Sequence, residues 1–252
     1  MQVAIVTGGS SGIGQSAAMQ LAAQGTGVIL TYSQHPDRAE EVVRNIELAG
    51  GRAAALPLDF GDTPTFTTFQ EQVRETLERT WRTSTFDYLV NNAGFGQMAM
   101  FEETTEALFD EFYQVLLKGP YFLTQALLPM MAAGGAIVNT SSSSALEGGT
   151  DAGYSAYASM KGAMVVLTRY WAKELSARGI RVNAVAPGPT RTRIGDDAFE
   201  KYPDVIADLA ARTALGRVGE PDDIGRVIAF LLASDGAWIT GQTIQVAGGY
   251  RL

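Results

Sequence analysis

The chain has 252 residues, of which 46% are hydrophobic, and its formal net charge at pH 7 is -8. This length and apolar content allow either one large α/β domain or two small ones. The absence of cysteine excludes disulfides, thiolate metal sites and cysteine nucleophiles, and a single histidine, His35, leaves almost no room for a zinc site or a Ser-His-Asp triad. The acidic charge and the lack of a basic block argue against a nucleic-acid partner.

The N-terminus lacks the charged start and the long apolar run of a signal peptide. No apolar stretch reaches the ~20 residues that a helix needs to cross a bilayer. We therefore expect a cytoplasmic protein without a membrane partner.

Short apolar runs alternate with segments of helical periodicity along the chain. The apolar runs predict buried strands at residues 3–7, 28–32, 53–58, 86–90, 136–139, 180–186 and 243–246. The periodic segments predict helices at residues 14–24, 37–48, 65–79, 106–131, 157–177 and 222–233. Such alternation implies right-handed crossovers and parallel pairing. The prediction is an α/β fold: a single doubly wound, Rossmann-like domain over residues 1–252, with a mostly parallel seven-stranded sheet flanked by helices.

Two irregular segments interrupt the alternation, at residues 142–155 and at about 188–217. Ligands of doubly wound sheets bind beyond the carboxyl ends of the strands, where both segments should lie. We therefore expect them to wall a substrate pocket, with residues 188–217 as a substrate loop. The apolar candidates for this pocket are Phe95, Met98, Leu146, Tyr154, Phe199 and Tyr202.

The first predicted strand leads into a glycine-rich turn, T-G-G-S-S-G-I-G at residues 7–14, and then into a helix. Glycines here let backbone N–H groups approach a pyrophosphate, which also meets the positive end of the helix. A lone glycine cluster also fits an ordinary strand-to-helix turn, but its place after the first strand favours a dinucleotide site.

Tyr157 and Lys161 lie one helical turn apart on the same face of a predicted helix. A free tyrosine has a pKa of about 10, and a nearby cation lowers that pKa because it stabilises the phenolate. The pair is therefore predicted to make Tyr157 a general acid in reduction and a general base in oxidation. Taken alone, it also fits a buried aromatic ring beside a solvated lysine.

Further motifs accompany the pair and the glycine turn in an order that resembles the short-chain dehydrogenase/reductase family. N-N-A-G at residues 91–94 follows the fourth predicted strand, I-V-N-T-S-S at 137–142 covers the fifth, and N-A-V-A-P-G at 183–188, followed by Thr192, covers the sixth. Asp59 resembles the family's aspartate at the adenine end. The resemblance covers essentially the whole chain. It implies an NAD(P)-dependent oxidoreductase that interconverts a carbonyl and an alcohol.

The resemblance implies that Ser142, Tyr157 and Lys161 are the catalytic residues, with Ser142 polarising the substrate oxygen. Lys161 would also bond the nicotinamide ribose and orient the ring. Ser144 remains an alternative to Ser142, because it precedes Tyr157 by 13 residues, a spacing common in the family, whereas Ser142 precedes it by 15. We favour Ser142 because the strand before it fixes its position.

The cofactor site implied by the resemblance is larger than the catalytic group. Asn139 and Asn183 are expected to be structural, and no metal site is expected. The residues implied to contact the cofactor are Gly8, Ser10, Ser11, Gly12, Ile13, Gly14, Tyr32, Ser33, Asp59, Phe60, Asn91, Ala93, Gly94, Tyr157, Lys161, Pro187, Gly188, Thr190 and Thr192, together with the backbone near Ile194.

The end of the second strand is expected to select between the two dinucleotides. Family members that prefer NAD carry an acid there, which repels a 2′-phosphate. Here the position is Tyr32, followed by Ser33, so NADP(H) is favoured over NAD(H). The usual basic phosphate ligands are also missing, since Ser11 stands where many NADP enzymes carry arginine or lysine. Ser33, His35 and Arg38 are the candidates to compensate.

One position departs from the family pattern. Residues 115–120 read V-L-L-K-G-P where the family reads V-N-L-K-G-P, so Leu116 replaces an asparagine that typically holds a water next to the lysine. Leucine can neither donate nor accept a hydrogen bond. Gln114 is close in sequence but should point elsewhere on a helix. The alternative function is therefore a catalytically weak NADP(H)-binding sensor or regulatory protein.

The predicted partners are a small-molecule carbonyl or alcohol substrate and further copies of the chain. The helices at residues 106–131 and 157–177 carry more apolar surface than one sheet face can cover, and the family commonly pairs these helices across two-fold axes. We therefore expect a homodimer or homotetramer. The candidate contact residues include Met164, Val165, Leu167, Tyr170 and Trp171.

Overall fold

A computed structural model describes residues 1–193 and 199–252. Its strands are β1 (Val3–Val6), β2 (Gly27–Tyr32), β3 (Ala53–Pro57), β4 (Phe86–Asn91), β5 (Met131–Thr140), β6 (Arg181–Pro187) and β7 (Thr243–Val246). All seven pair in parallel in one sheet, in the order β3-β2-β1-β4-β5-β6-β7. The order reverses between β1 and β4, which confirms the predicted doubly wound sheet.

Helices cover both faces of the sheet. They are α1 (Gly12–Ala23), α2 (Pro36–Leu48), α3 (Phe66–Trp81), α4 (Glu106–Tyr113), α5 (Gly119–Leu127), α6 (Ser155–Glu174), α7 (Asp204–Ala211) and α8 (Pro221–Leu232). Ala4 and Val6 of β1 pack in one core with α1, α2 and α8, whereas Val3 and Ile5 pack in another with α3, α5 and α6. This alternation follows from the period of two in a strand, and it explains why the strands read as continuous apolar runs.

The predicted helix at residues 106–131 is interrupted. Between α4 and α5 lies a π-helical segment, Gln114–Lys118, and a 3₁₀ turn at Leu128–Met130 precedes β5. Met131 therefore begins a strand and does not end a helix, because Pro129 removes a backbone donor at that point. The early start of β5 includes an irregular stretch around Gly134, whose φ is +77°.

The segment at residues 188–217 is less irregular than the sequence indicated, because it contains α7. Residues 194–198 of this predicted substrate loop, including Ile194, lie outside the described residues. No helix within residues 1–193 and 199–252 is long and apolar enough to cross a membrane.

The predicted contact residues of α6 divide between core and surface. Met164 and Trp171 are buried, so these two are not available to a partner, whereas Leu167 is half-buried and packs partly against the core that contains Trp171. Tyr170 is exposed, as is its neighbour Val166. The prediction was wrong for the buried residues because one helix carries both a core face and an outer face, and their apolar residues interleave in sequence.

Candidate active site

Tyr157 and Lys161 lie on the first two turns of α6, facing inward. Tyr157 is 8% exposed and Lys161 is 6% exposed. The Lys161 ammonium donates a 2.8 Å hydrogen bond to the carbonyl of Thr140, at the end of β5, and its Nζ lies 5.8 Å from the centre of the Tyr157 ring. The two side chains are therefore neighbours in a nearly closed space.

Burial, and not the charge of Lys161, dominates the proton affinity of Tyr157. Desolvation raises the pKa of Tyr157 to about 12, although a hydrogen bond with Ser142 acts in the opposite direction. Desolvation also lowers the pKa of Lys161 to about 8. The expectation that the lysine would lower the tyrosine pKa was wrong, because both groups are removed from water and burial disfavours the charged form of each.

Ser142 and Ser144 meet next to this pair. Ser142 is close enough to the Tyr157 side chain to lower its pKa, and the Oγ of Ser142 lies 3.0 Å from the Oγ of Ser144. The backbone N–H of Ser144 also donates to the Oγ of Ser142, at 3.2 Å. Ser141 instead turns toward α6, where its hydroxyl donates to the carbonyl of Lys161 at 2.8 Å. Both candidate serines therefore lie near Tyr157, with Ser142 next to the phenol and Ser144 next to Ser142.

Leu116 lies in the π-helical segment, where it is 2% exposed. It belongs to a buried apolar cluster with Phe112, Tyr157 and Met160. A methyl group placed on Gly94 would lie 2.7 Å from the Cδ2 of Leu116 and 3.8 Å from the Nζ of Lys161. The leucine therefore closes the space next to the lysine with an apolar surface.

Gln114 does not replace the missing amide. Its side chain donates to the carbonyl of Phe60 at 3.2 Å, on a different side of the segment. The predicted direction of Gln114 agrees with this contact.

The glycine turn lies where β1 meets α1, and it is bare in the sense that no side chain caps the N-terminus of the helix. Gly8 and Gly12 have φ of +63° and +55°, which side chains rarely adopt. A Cβ on Gly14 would lie 2.3 Å from the Gly8 carbonyl oxygen, and one on Gly8 would lie 2.9 Å from the Cα of Ala93. The side chain of Ser11, at the start of α1, makes no capping hydrogen bond. A bare turn at a helix N-terminus fits the pyrophosphate of a dinucleotide.

Two threonine hydroxyls fix the backbone of this turn by accepting hydrogen bonds, a role that the sequence did not predict. The hydroxyl of Thr7 accepts hydrogen bonds from the N–H groups of Asn92 and Ala93 at 2.9 and 3.0 Å. The hydroxyl of Thr31 accepts one from the N–H of Gly8 at 3.1 Å. A threonine at the end of a strand is too common a pattern to reveal such contacts from sequence.

A buried polar chain joins the strand ends to the helices behind them. The Asn91 amide donates to Thr124 on α5 at 3.0 Å and to the Asn139 side chain at 2.9 Å, and Asn139 donates to Thr168 on α6 at 2.9 Å. Asn183 in β6 donates to the Ile239 carbonyl at 2.7 Å. These bonds agree with a structural role for Asn139 and Asn183. Asn91 also has a structural role, because it links β4 to β5 and to α5.

The adenosine end of the predicted site is more open. Tyr32 is half-buried at the end of β2, and Ser33 and His35 are exposed after it. Beyond β3, Asp59 is exposed and accepts a 2.7 Å hydrogen bond from the N–H of Gly61, whereas Phe60 is buried. The remaining turn residues, Ser10 and Ile13, are half-buried.

The segment after β6 returns to the glycine turn. The N–H of Gly188 donates to Val246 at 3.0 Å, and the hydroxyl of Thr190 donates to the Gly188 carbonyl at 2.9 Å. A Cβ on Gly12 would lie 3.3 Å from the Cγ2 of Thr192. Pro187 ends β6 one residue earlier. The predicted cofactor residues of β1 and β6 therefore meet at one sheet edge.

A cavity of about 420 Å³ opens next to the serines and α6. Tyr154 lines it, as predicted, whereas Phe95, Met98, Leu146, Phe199 and Tyr202 are outside its lining. Phe95 instead stacks on Phe112 with ring centres 4.9 Å apart. The full lining is Met100, Phe101, Glu102, Ser144, Thr150, Asp151, Ala152, Gly153, Tyr154, Ser155 and Ala158.

The C-terminal residues fasten one wall of this cavity. Asp151 accepts a 3.1 Å hydrogen bond from the Tyr250 hydroxyl and forms an ion pair with Arg251. The Arg251 guanidinium also donates to the carbonyl of Thr150. Arg251 itself has a φ of +56°, a left-handed backbone that is unfavourable for a residue with a side chain.

Comparison with known proteins agrees with this arrangement. A family described as enoyl-(acyl carrier protein) reductase matches residues 8–251. An uncharacterised oxidoreductase of Methylorubrum extorquens is 36% identical over 258 residues, which is 99% of this chain and 98% of that protein.

Two solved structures are similar over almost their full lengths. The promiscuous reductase LugOII, which catalyses keto-reduction at C1 during lugdunomycin biosynthesis, has a TM-score of 0.94 and 34% identity, covering 100% of this chain and 98% of the other. The angucycline C-6 ketoreductase LanV with bound NADP has a TM-score of 0.93 and 35% identity, covering 99% and 95%.

The parallel sheet, the bare glycine turn and the Tyr157–Lys161 pair together define a dinucleotide-dependent oxidoreductase. With a family match over residues 8–251 and relatives of this identity, the chain belongs to the short-chain dehydrogenase/reductase family.

Proposed function

We propose that the protein, acting as one domain over residues 1–252, interconverts a carbonyl and an alcohol with Tyr157 as the general acid in reduction and the general base in oxidation. The observation that carries the proposal is the buried group formed by Ser142, Tyr157 and Lys161 next to the cavity. Ser142 directly follows β5, and Tyr157 and Lys161 lie at the start of α6; the cavity is lined by Ser144 of the 3₁₀ turn after β5 and by Ser155 and Ala158 of α6.

The ionisation of the group suits this chemistry. With a pKa of about 12, Tyr157 holds its proton at neutral pH and can deliver it to a substrate oxygen. The Ser142 hydroxyl, which is close enough to Tyr157 to lower its pKa, orients that oxygen toward the phenol. Lys161, with a pKa of about 8, is mostly charged at neutral pH and stabilises the phenolate that remains.

The cofactor that we propose is a nicotinamide dinucleotide, NADP(H) in preference to NAD(H). When bound, it supplies or accepts the hydride. Tyr32 and Ser33 put no carboxylate at the end of β2 to repel a 2′-phosphate, and the similar ketoreductase LanV binds NADP. The proposed cofactor contacts are Gly8, Ser10, Ser11, Gly12, Ile13, Gly14, Tyr32, Ser33, Asp59, Phe60, Asn91, Ala93, Gly94, Tyr157, Lys161, Pro187, Gly188, Thr190 and Thr192.

The cavity indicates the kind of substrate. Its wall combines the apolar side chains of Met100, Phe101 and Tyr154 with the carboxylates of Glu102 and Asp151. We expect an uncharged or cationic, largely apolar ketone, because the Glu102 carboxylate would repel an anion, whereas the charge of Asp151 is compensated by its ion pair with Arg251. The keto-reductions of LugOII and LanV support a ketone. A panel of ketones and alcohols of matched size and different charge, followed by nicotinamide absorbance, tests this expectation.

We also propose that the protein is a homodimer or homotetramer. Aromatic side chains remain exposed on the outer face of α4, α5 and α6, among them Phe109, Tyr121, Phe122 and Tyr170. Another copy of the same face is the simplest partner for such a surface. A light-scattering mass equal to the monomer mass of 26.9 kDa would contradict the proposal.

The decisive experiment removes only the phenol oxygen. Tyr157→Phe should retain the thermal stability and the cofactor affinity but lose turnover by roughly 10²-fold or more, because the transferable proton is gone. Tyr170→Phe, on the exposed side of the same helix, is the matched control and should keep its activity. Near-normal turnover in a folded Tyr157→Phe protein would exclude the general-acid assignment.

The competing function is a catalytically weak NADP(H)-binding sensor, and the apolar contact of Leu116 with the space next to Lys161 is the observation in its favour. Under that function the normal protein would bind NADP(H) but turn over no member of the ketone and alcohol panel. Turnover that depends on Tyr157 would exclude it.

A further inference from the structure

We propose that Ser144 is the second hydroxyl of a proton path that runs from the cavity through Ser142 to Tyr157 and restores the tyrosine proton after each reduction. The inference rests on the proposed function of Tyr157. It is carried by the order of the three groups: Ser142 is close enough to Tyr157 to lower its pKa, the Oγ atoms of Ser142 and Ser144 are 3.0 Å apart, and Ser144 lines the cavity.

Tyr157 needs such a path because it has little access to water. It is 8% exposed, and each reduction would consume its proton. The same burial makes the phenolate unfavourable, so the proton must return before the next turnover. Some polar group must therefore connect Tyr157 to solvent.

The side of Tyr157 next to α4 is apolar and therefore offers no good path for protons between the phenol and solvent. Phe112, Leu116 and Met160 surround the ring there. The Lys161 ammonium is directed at the carbonyl of Thr140, and Leu116 closes the adjoining space next to Gly94. A buried water needs at least two polar partners, and the leucine side chain provides none.

The serines have the donors and acceptors that a relay needs. A hydroxyl has one proton to donate and two lone pairs to accept with. The lone pairs of Ser142 can accept the backbone N–H of Ser144, at 3.2 Å, and the hydroxyl of Ser144, at 3.0 Å. With both contacts accepted by Ser142, its one proton is free to be donated to Tyr157, and the hydroxyls then connect the cavity to the phenol.

The transfer is balanced without any redox change. The Tyr157 phenolate takes the hydroxyl proton of Ser142, Ser142 takes that of Ser144, and Ser144 takes a proton from water in the cavity. Three O–H bonds break and three form, with the net uptake of one proton from solvent. Because the substrate occupies the same cavity, the proton returns only after the product has left.

The test separates proton return from hydride transfer. In rapid mixing with NADPH and the best ketone of the panel, nicotinamide absorbance reports the first reduction and a pH-indicator dye reports proton uptake. Ser144→Ala should slow proton uptake by roughly tenfold or more relative to the first reduction, because Tyr157 is already protonated when the first reduction begins. The slowed phase should show a larger solvent isotope effect.

Three further variants distinguish a proton-relay role of the Ser144 hydroxyl from a purely structural role of the residue. Ser144→Thr retains the hydroxyl and should restore proton uptake, whereas Ser143→Ala, the neighbouring buried serine, should behave like the normal protein. Leu116→Asn in the Ser144→Ala protein should recover part of the lost rate, because it gives water a polar partner next to Lys161.

Two outcomes would overturn the proposal: unchanged proton uptake in Ser144→Ala, or an equal loss in the first reduction, which would make Ser144 a positioning residue. Failure of the proposed function itself would look different, since Tyr157→Phe would then keep its turnover.

Discussion

The ammonium nitrogen of Lys161 lies 5.8 Å from the centre of the Tyr157 ring, yet each group is shifted toward its neutral form. Burial lowers the lysine pKa from 10.5 to about 8 and raises the tyrosine pKa from 10.0 to about 12. At neutral pH the tyrosine is therefore neutral while the lysine is still mostly charged, and the two pKa shifts have opposite consequences for stability.

The first prediction follows from those shifts. Between pH 8 and pH 10 the unfolded chain keeps a lysine proton that the folded protein has released, so the free energy of unfolding should rise with pH. From pH 10.5 to pH 12 the folded protein keeps a tyrosine proton that the unfolded chain has lost, so the free energy of unfolding should fall as the pH rises. Each slope is at most about 1.4 kcal/mol per pH unit.

Denaturant titrations of the normal protein and two variants check this. In Lys161→Met the free energy of unfolding should no longer rise between pH 8 and pH 10, and in Tyr157→Phe it should no longer fall between pH 10.5 and pH 12. If all three proteins follow the same pH curve, the assignment of these shifts is wrong.

The second prediction concerns the bare glycine turn. Gly8→Ala should abolish detectable cofactor binding, because its Cβ would lie 2.9 Å from the Cα of Ala93 in a backbone with φ of +63°. Gly25→Ala is the matched control: Gly25 has a φ of +83° but nothing within 4 Å of a new Cβ. The control should lose about 1 kcal/mol of stability and keep its cofactor affinity. Calorimetric titration with NADPH distinguishes the two, and equal affinities would contradict the prediction.

The third prediction concerns cofactor choice at the end of β2. Tyr32→Asp should move the preference toward NAD(H) by roughly tenfold, equivalent to about 1.4 kcal/mol, because a carboxylate there repels a 2′-phosphate. Tyr32→Asn has the same shape without the charge and should shift the preference less. The measurement is the ratio of kcat/KM for NADPH and NADH. An equal ratio in all three proteins would show that Tyr32 does not face the phosphate.

The fourth prediction concerns the ion pair between Arg251 and Asp151, a residue that lines the cavity. Arg251→Met should raise KM for the ketone by several-fold, roughly 1 kcal/mol, with little change in kcat, because Asp151 loses its ion pair while Tyr157 is untouched. Arg226→Met is the control, since Arg226 makes only a 4.0 Å contact with Asp222 on the surface of α8. A parallel fall in kcat would mean that Arg251 supports the reacting groups themselves.

The parts of the molecule that depend on local periodicity were predictable from sequence. The order of strands and helices, the bare turn around Gly8 and the closeness of Tyr157 to Lys161 follow from residues that are near in the chain or that end neighbouring parallel strands. The position of Leu116 next to the lysine could also be anticipated, because residues 115–120 match the family pattern at all their other positions.

Other features depend on contacts between distant segments, and no local pattern reveals them. The Asp151–Arg251 pair joins residues 100 positions apart, and the Asn91–Asn139 bond joins residues 48 apart. The shift of the Tyr157 pKa was missed for a similar reason. Its direction is decided by how completely Phe112, Leu116 and Met160 surround the ring, and composition does not give that burial.

The polar chain from Asn91 has a consequence for folding specificity. Asn91 and Asn139 are partners in the register of β4 and β5, and their side chains bond each other and reach α5 and α6. If β4 slipped by a single residue, the Asn91 amide would turn to the opposite face of the sheet, and the hydrogen bond between the two amides would be lost. A buried polar group that loses its hydrogen bonds costs about 1–3 kcal/mol. The apolar strands would tolerate many alignments, and this chain of amides and hydroxyls selects one of them.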